Sequence, residues 1–434
     1  MISALAGFLF GFDTVVISRA DQQLQSLWVT PYLFHGTFVM SIALWGTVLG
    51  AIFASYPCNY FGRKNTLIGI GILYLISALG FGLALDPYTF SFFRFLGGIG
   101  VGTSTIAAPT YVSEIAPGHK RGQLVALYQF NIVFGILVAF ISNFLLKVVG
   151  AQPWRWMVGI EALPAVLYLL KIITVPKSPL WVLFKMKNLA QAQAIFKEIN
   201  GKELTESEIY EIQSEQEPAN QKPLFSETYR FPIILAFLIA FLIAFFNQLS
   251  GINAFLYYAP RIFEAAGLQE SAALLSSIGI GVTNLIFTLL GLYLIDKIGK
   301  RLLMIIGSIG YIISFSLVSI AFLQGWHGIS IPVFLFLFIA SHAIDQGAVI
   351  WVFISEIFPD ILRAQGQSLG CSVHWALAAL ITLFMPVALS AFPNPGYVFI
   401  LFAGMTVIQL VFVLFMMPET KGISLERLSK LLIK

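Results

Sequence analysis

The chain has 434 residues, of which 58% are hydrophobic and 11% charged, and its formal net charge is +4. A soluble protein of this length carries about 25% charged residues, so the composition excludes that class and indicates a polytopic membrane protein. We attribute the net charge to the distribution of Lys and Arg across the membrane rather than to nucleic-acid binding. The two cysteines, Cys58 and Cys371, argue against a disulfide framework or a metal site, and we expect no cofactor.

Twelve segments are long and apolar enough to cross a bilayer as helices, which needs about 20 residues each. They predict an all-α membrane protein surrounded by lipid. No cleavable signal peptide is expected, because the first segment is interrupted by Asp13 and lacks a basic start. The predicted spans, numbered 1 to 12, are residues 2–20, 37–57, 66–85, 89–110, 122–147, 155–174, 231–257, 272–294, 302–323, 331–355, 365–391 and 395–417.

The basic residues predict how the spans are oriented. If both termini are cytoplasmic, 20 of the 25 Lys and Arg residues fall on the cytoplasmic side. Such an excess is typical of cytoplasmic loops. We therefore expect both termini in the cytoplasm.

An internal repeat divides the chain into two halves. Glu114 and Arg121 return as Glu356 and Arg363, and both offsets are 242 residues (356 − 114 and 363 − 121). Two six-span halves of the same orientation explain the repeat, and transporters of this design bind substrate between the halves. The predicted parts are a first half at 1–175, a cytoplasmic linker at 176–230, a second half at 231–418 and a tail at 419–434.

The linker is polar and carries two short helix signals. Leu189 to Ile199 is amphipathic, and Thr205 with Glu208 forms a plausible capping box for a second helix. A solvated connection is the simpler interpretation, and a latch between the halves is the alternative.

Three charged residues lie within spans of the first half: Asp13 in span 1, Arg94 in span 4 and Glu161 in span 6. A lone carboxylate at the centre of a span costs about 2.5–3.5 kcal/mol on insertion scales, so pairing among the three is expected. The pattern fits either a fixed ion pair or a proton-binding site whose protonation releases Arg94.

Span 7 ends in a polar stretch that contains Asn247, Gln248, Gly251 and Asn253. Their spacing covers one broad face of a helix, and Gly251 would allow a break. Amides both donate and accept hydrogen bonds, which suits an uncharged polyhydroxylated ring. Hydrogen bonding between packed spans is the alternative explanation.

Span 4 contains a run of glycines, Gly97, Gly98, Gly100 and Gly102. Such a run can resemble a nucleotide-binding loop, but no strand precedes it and the segment is apolar. Small residues that let two helices approach closely are therefore the favoured interpretation.

Several motifs, in order along nearly the whole chain, resemble the sugar porters of the major facilitator superfamily, and most closely bacterial sugar–proton symporters such as xylose transporters. These motifs include Phe10 to Ser18, Arg94 to Gly102, Pro109 to Gly122, Gln248 to Tyr258, Asp296 to Arg301, Trp351 to Pro359 and Pro418 to Gly422. The resemblance implies the major facilitator fold of two pseudo-symmetric six-helix halves. It implies secondary active transport of a monosaccharide, a hexose or pentose, with protons by alternating access. It also implies a protein that works as a monomer in the bacterial inner membrane.

The resemblance also implies roles for individual residues. Asp13 occupies a position where proton-coupled porters have Asp and facilitative glucose transporters typically have Asn, so Asp13, Arg94 and Glu161 become the expected proton-coupling group. The expected sugar-binding residues are Gln129, Asn247, Gln248, Asn253, Asn284, Trp351, His374 and Trp375. The expected ion-pair network that closes the cytoplasmic side comprises Arg63, Glu114, Arg121, Asp296, Arg301, Glu356 and Arg363.

This chain departs from the family pattern in several places. Asn59 and Tyr60 stand where the family usually has Asp-Arg, and Ala378 replaces a common Asn. An unmet buried hydrogen-bond partner costs about 1–3 kcal/mol, enough to select between sugars, so the family does not indicate which sugar is carried. Asp345 in span 10 has no assigned role; a position lining a water-filled cavity is the simpler interpretation, and a second titrating site the alternative.

Two other functions are compatible with the same motifs. One is a facilitator that carries sugar without coupling. The other is a transporter-like sugar sensor, which the short tail after Pro418 disfavours. No set of nucleophile and base and no metal-binding cluster is present, so an enzyme is not expected.

Overall fold

A computed structural model of the protein describes residues 5–115, 121–200, 227–326, 328–358 and 360–421. These residues form helices joined by short turns, with no strand among them, which confirms the predicted all-α class. The helices of the first half and the following segment are α1 Leu5–Val16, α2 Ala20–Leu27, α3 Tyr32–Phe34, α4 Ile42–Phe53, α5 Ser55–Tyr60, α6 Arg63–Leu83, α7 Pro87–Ile115, α8 Arg121–Leu146, α9 Pro153–Gly159, α10 Ala162–Ile172, α11 Pro179–Phe184 and α12 Leu189–Asn200.

The second half repeats this arrangement with longer helices. Two of its spans are broken: α13 and α14 form span 7, and α17 and α18 form span 10. The helices are α13 Glu227–Leu249, α14 Ile252–Ala265, α15 Glu270–Ile298, α16 Lys300–Leu323, α17 Ser330–Ile344, α18 Gln346–Glu356, α19 Asp360–Ala391 and α20 Gly396–Phe415.

Eight helical segments of the described chain are long and apolar enough to cross a membrane, and the bent pair Tyr32–Met40 with Ile42–Phe53 makes a ninth. The other three predicted spans also form helices. Spans 1 and 6 are interrupted, and span 4 carries Arg94 among glycines, serines and threonines. We call the end of the bundle where α1 begins and α20 ends the proximal end, and the opposite end the distal end.

The glycines of span 4 allow close helix packing, as predicted. A Cβ atom at Gly98 would lie 1.9 Å from the carbonyl oxygen of Ala43, and one at Gly102 would lie 2.1 Å from that of Thr47. Any larger residue at either position would collide with the backbone of span 2. The two spans therefore depend on these glycines for their contact.

The first part of the linker packs on the first half. The indole N–H of Trp181 donates to the carbonyl oxygen of Asn59 at 2.9 Å, and the Tyr111 hydroxyl donates to that of Pro176 at 2.7 Å. Helix α12 matches the amphipathic helix predicted from Leu189 to Ile199. Thr205 and Glu208 lie outside the described residues, and the predicted division into 1–175, 176–230, 231–418 and 419–434 stays a prediction.

Candidate functional site

Span 7 breaks where its sequence becomes polar. Gly251 has φ +78°, a left-handed backbone conformation that favours glycine. A Cβ atom there would also lie 2.8 Å from the ring of Phe402. The break predicted at Gly251 is therefore confirmed, and it turns Asn253 back towards the amides at the end of α13.

The amides around the break form one hydrogen-bonded network. The Gln248 side-chain N–H donates to Asn247 Oδ1 at 2.8 Å, and Asn253 Nδ2 donates to Gln248 Oε1 at 2.8 Å. Gln248 Nε2 also lies 3.0 Å from His374 Nδ1 on α19. Asn247 Nδ2 donates to Gln346 Oε1 on α18 at 3.3 Å. We call these five residues the amide network; Gln346 was not predicted, because its side chain meets the others only in the folded chain.

Aromatic rings border the amide network on one side. The rings of Trp351 and His374 have centroids 5.2 Å apart, and those of His374 and Trp375 lie 4.7 Å apart. Trp375 also packs edge-on against Phe10 of the first half, with centroids 5.5 Å apart. A flat apolar surface beside neutral donors and acceptors suits the mixed faces of a sugar ring.

Two predicted sugar-binding residues belong neither to the amide network nor to the aromatic rings beside it. Asn284 is buried, and its Oδ1 accepts a hydrogen bond from Thr288 at 3.3 Å. Gln129 on α8 is partly exposed and makes no side-chain hydrogen bond with the described residues. Both remain predictions.

The three charged residues of the first half meet in its interior. Arg94 Nη1 donates to Asp13 Oδ1 at 2.7 Å, and both side chains are almost completely buried. Glu161 is fully buried and interacts electrostatically with both. Neither oxygen of Glu161 has a hydrogen-bond donor among the described residues. One guanidinium group therefore faces two carboxyl groups away from water.

This charged cluster also touches span 7. Tyr257 of α14 interacts electrostatically with Arg94, and the Arg94 guanidinium lies 5.4 Å from the centre of the Phe81 ring. Tyr257 lies only four residues after Asn253 of the amide network. Helix α14 thus connects the charged cluster to the amide network.

At the proximal end, the described ion pairs stay within one half. Arg63 Nη2 lies 2.8 Å from Glu114 Oε1, and Lys300 Nζ lies 3.1 Å from Glu356 Oε2. Lys300 was not among the predicted residues. Asn59, which replaces the usual acid, still accepts from Arg63 at 3.3 Å.

The other predicted members of the proximal network behave differently. The guanidinium group of Arg301 donates to the carbonyl oxygens of Val413 and Leu414, and only its backbone N–H donates to a carboxylate, that of Glu419, at 3.1 Å. Asp296 is exposed and forms no ion pair with a described side chain. The side chains of Arg121 and Arg363 lie outside the described residues.

At the distal end, by contrast, ion pairs join the two halves. Arg261 of α14 lies 3.3 Å from Asp21 of α2, and the same carboxylate lies 2.7 Å from His35 Nε2. Arg19 pairs with Glu270 and lies 3.6 Å from Glu264. None of these residues was predicted to have a role, because partners up to 251 residues apart share no motif. The distal end is closed in this conformation.

Comparison with known proteins identifies the family. The model of the family described as "Sugar (and other) transporter" matches residues 1–432. The chain belongs to the sugar transporter family. The family consists of transporters, not enzymes.

Three relatives show the range of named activities. The arabinose-proton symporter of Bacillus subtilis is 33% identical over 100% of this chain and 94% of the relative. The D-xylose-proton symporter of Escherichia coli K12 is 31% identical over 99% and 94%, respectively. The glucose facilitated diffusion protein of Zymomonas mobilis is 30% identical over 99% and 96%.

The fold agrees with a solved transporter structure. The inward-open conformation of the xylose transporter XylE from E. coli superposes with a TM-score of 0.86 at 30% identity, covering 99% of this chain and 98% of that one. The transporter therefore has the twelve-span major facilitator fold and is an integral membrane protein.

The distal ion pairs yield a testable prediction. Replacing Arg261 by glutamine leaves Asp21 without its partner in the other half, so we expect the closed distal end to lose about 1–3 kcal/mol of stability, a shift of about 5- to 150-fold. The readout is labelling of Ser18→Cys, a position 2% exposed here, by a membrane-impermeant maleimide in a protein lacking Cys58 and Cys371.

Arg155→Gln is the matched control. Arg155 also lies at the distal end, but its partners, Gln152 and the carbonyl oxygen of Gly82, belong to its own half. Equal labelling of the Arg261 and Arg155 variants would contradict a gate between the halves.

Proposed function

We propose that the protein is a secondary active transporter that moves a monosaccharide together with protons by alternating access. One observation carries this proposal: α14 joins a neutral amide network, suited to a sugar, to a buried cluster of two carboxyl groups and one arginine. The relatives named as arabinose-proton and D-xylose-proton symporters support it.

The sugar is held by amides and aromatic rings. In the structure the amides of Asn247, Gln248 and Asn253 bond to one another, so they are satisfied without a ligand. A sugar hydroxyl both donates and accepts, and it can replace these bonds one for one. Trp351 and Trp375 provide apolar faces, while Gln129 and Asn284 would act only after a shift of their helices.

The proton binds the carboxyl groups of the charged cluster. Arg94 can neutralise only one of Asp13 and Glu161, so ionising both would bury a net negative charge. A proton removes that charge and weakens the attraction of Asp13 for Arg94. Because Tyr257 lies against Arg94, the change reaches α14 and hence the sugar.

Orientation and assembly follow from the same arrangement. In the predicted topology 20 of the 25 Lys and Arg residues fall on the side of the termini, so we place both termini and the proximal end in the cytoplasm of a bacterial inner membrane. The sugar and proton groups lie within one chain, so a monomer in the lipid bilayer suffices. We assign Arg63, Glu114, Arg121, Asp296, Arg301, Glu356 and Arg363 to closure of the cytoplasmic side, with Lys300 as a further member.

An uncoupled facilitator is the second candidate, because the Z. mobilis relative is named for facilitated diffusion. Uptake of labelled arabinose, D-xylose and glucose into vesicles containing the purified protein separates the two. We expect at least one sugar to be concentrated when an inward proton gradient is imposed, and only equilibrated when a protonophore is added. Equilibration alone in both conditions would favour the facilitator.

A further inference from the structure

A second buried carboxyl group lies in the other half of the transporter. Asp345 is 0% exposed and occupies the break of span 10, between α17 and α18. Its backbone has φ −88° and ψ −101°, so the helix is interrupted at this residue. The sequence-based expectation of a water-lined position is wrong, because the side chain is closed off from solvent.

Among the residues that the structure describes, none stabilises a negative charge on Asp345. Neither carboxyl oxygen has a hydrogen-bond donor among the described residues. The side chain packs against α16, where a Cβ atom at Gly307 would lie 2.1 Å from Asp345 Cβ and 2.3 Å from Oδ2. Gly291 of α15 packs against the backbone at Ala343 and Ile344, the two residues before Asp345.

Among the described residues, Tyr311 is a titratable group that interacts electrostatically with Asp345, and its ordinary form is neutral. Tyr311 comes from α16, and its hydroxyl lies 2.8 Å from Nδ1 of His342 on α17. His374 comes from α19 and interacts with His342. From α13 and α15, no acid or base faces the break among the described residues. An ionised carboxylate in such surroundings would be uncompensated, and groups in this situation bind a proton instead.

Asp345 is linked to the amide network through its neighbour. Gln346 accepts from Asn247, while the Gln346 side-chain nitrogen is buried without a partner among the described residues. A sugar that replaces hydrogen bonds of the amide network therefore changes the hydrogen bonding of Gln346, the residue next to Asp345.

The break also offers the carboxyl group a second position. Asp345 holds the N-cap position of α18, but its side chain makes no capping hydrogen bond. Rotation towards the first turn of α18 would place the carboxylate at a helix N-terminus, where negative charge is stabilised. Two positions, one suited to each protonation state, provide a switch.

We propose that Asp345 is a second proton-binding site, which takes up and releases a proton in step with sugar through Gln346. The two halves then each hold one proton site, and two charges move with each sugar. This inference rests on the proposed symport, and it adds the stoichiometry and the residue responsible for the second charge. Tight packing of Gly307 against the carboxyl group leaves little space for a metal cation.

The test measures the number of charges that move with each sugar in proteoliposomes. The membrane potential is set, no pH gradient is imposed, and the readout is the sugar gradient at which net sugar flux stops. At 100 mV one charge balances an approximately 45-fold sugar gradient and two charges about 2,000-fold. We expect two charges for the wild type and one for Asp345→Asn, which mimics the protonated group. Asp345→Ser serves as a second variant that removes the carboxyl group and adds no bulk.

Glu198→Gln, an exposed acid on α12, is the control and should keep two charges. One charge per sugar in the wild type would overturn the proposal without any variant. So would an unchanged value in Asp345→Asn, or a stopping gradient that follows sodium rather than protons. A wild type insensitive to both voltage and pH would instead refute the proposed symport.

Discussion

Replacing Asp13 by asparagine is expected to abolish uphill accumulation of sugar while sugar exchange across the membrane continues. Asparagine keeps the shape of the side chain and can accept from Arg94, but it cannot bind or release a proton. One charge moving through 100 mV releases about 2.3 kcal/mol, enough for more than tenfold accumulation. The measurement compares uptake into energised vesicles with counterflow in the same preparation.

Asp86→Asn is the control for this experiment. Thr89 donates to Asp86 from its hydroxyl at 2.6 Å and from its backbone N–H at 3.0 Å, and these hydrogen bonds lower the pKa of the Asp86 carboxyl group. Asp86 therefore stays ionised throughout the pH range of the assay and should not contribute to coupling. Concentration of sugar by Asp13→Asn in response to a pH gradient would show that another group couples transport to protons.

Replacing Gln248 by alanine is expected to weaken sugar binding by about 5- to 150-fold. Gln248 both donates and accepts within the amide network, and each unmet buried partner costs about 1–3 kcal/mol. Arg94, Asp13 and Glu161 are untouched, so proton binding should persist. Calorimetric titration with the sugar that shows the highest uptake provides the measurement.

The chain offers a matched control for this variant. Gln409 is also a buried glutamine of the second half, but it donates to Ser308 at 2.9 Å, outside the amide network. Gln409→Ala should lower thermal stability with little change in sugar affinity. If Gln248→Ala binds sugar as tightly as Gln409→Ala does, the amide network is not the binding site.

Much of this protein can be predicted from its sequence, because a polar group within a membrane span is costly. Charges and amides within apolar spans are costly, so Asp13, Arg94 and Gln248 stand out from the hydropathy pattern alone. The same reasoning predicted that Asp13 and Arg94 would meet, and the structure places them 2.7 Å apart. It also predicted the break at Gly251, because glycine interrupts the polar end of span 7.

Contacts between residues far apart in the sequence could not be predicted in this way. Asp345 stood out as a charge within a span, but its burial against Gly307 depends on how span 10 meets α16. Lys300 pairs with Glu356, whereas the Arg301 side chain donates to the carbonyl oxygens of Val413 and Leu414.

Hydropathy and motif spacing predict the class, the number and order of the spans, the internal repeat and the polar residues that are costly to bury in a membrane. Which of these residues meet is visible only in the folded chain. The fold joins Gln346 to the amide network, Tyr257 to Arg94, and Arg261 to Asp21 across the distal end. The physical reason is that hydropathy is a local property of the chain, whereas a hydrogen bond or ion pair depends on the positions of two side chains. Those positions are set by the packing of helices whose paired residues lie up to 251 positions apart in the chain.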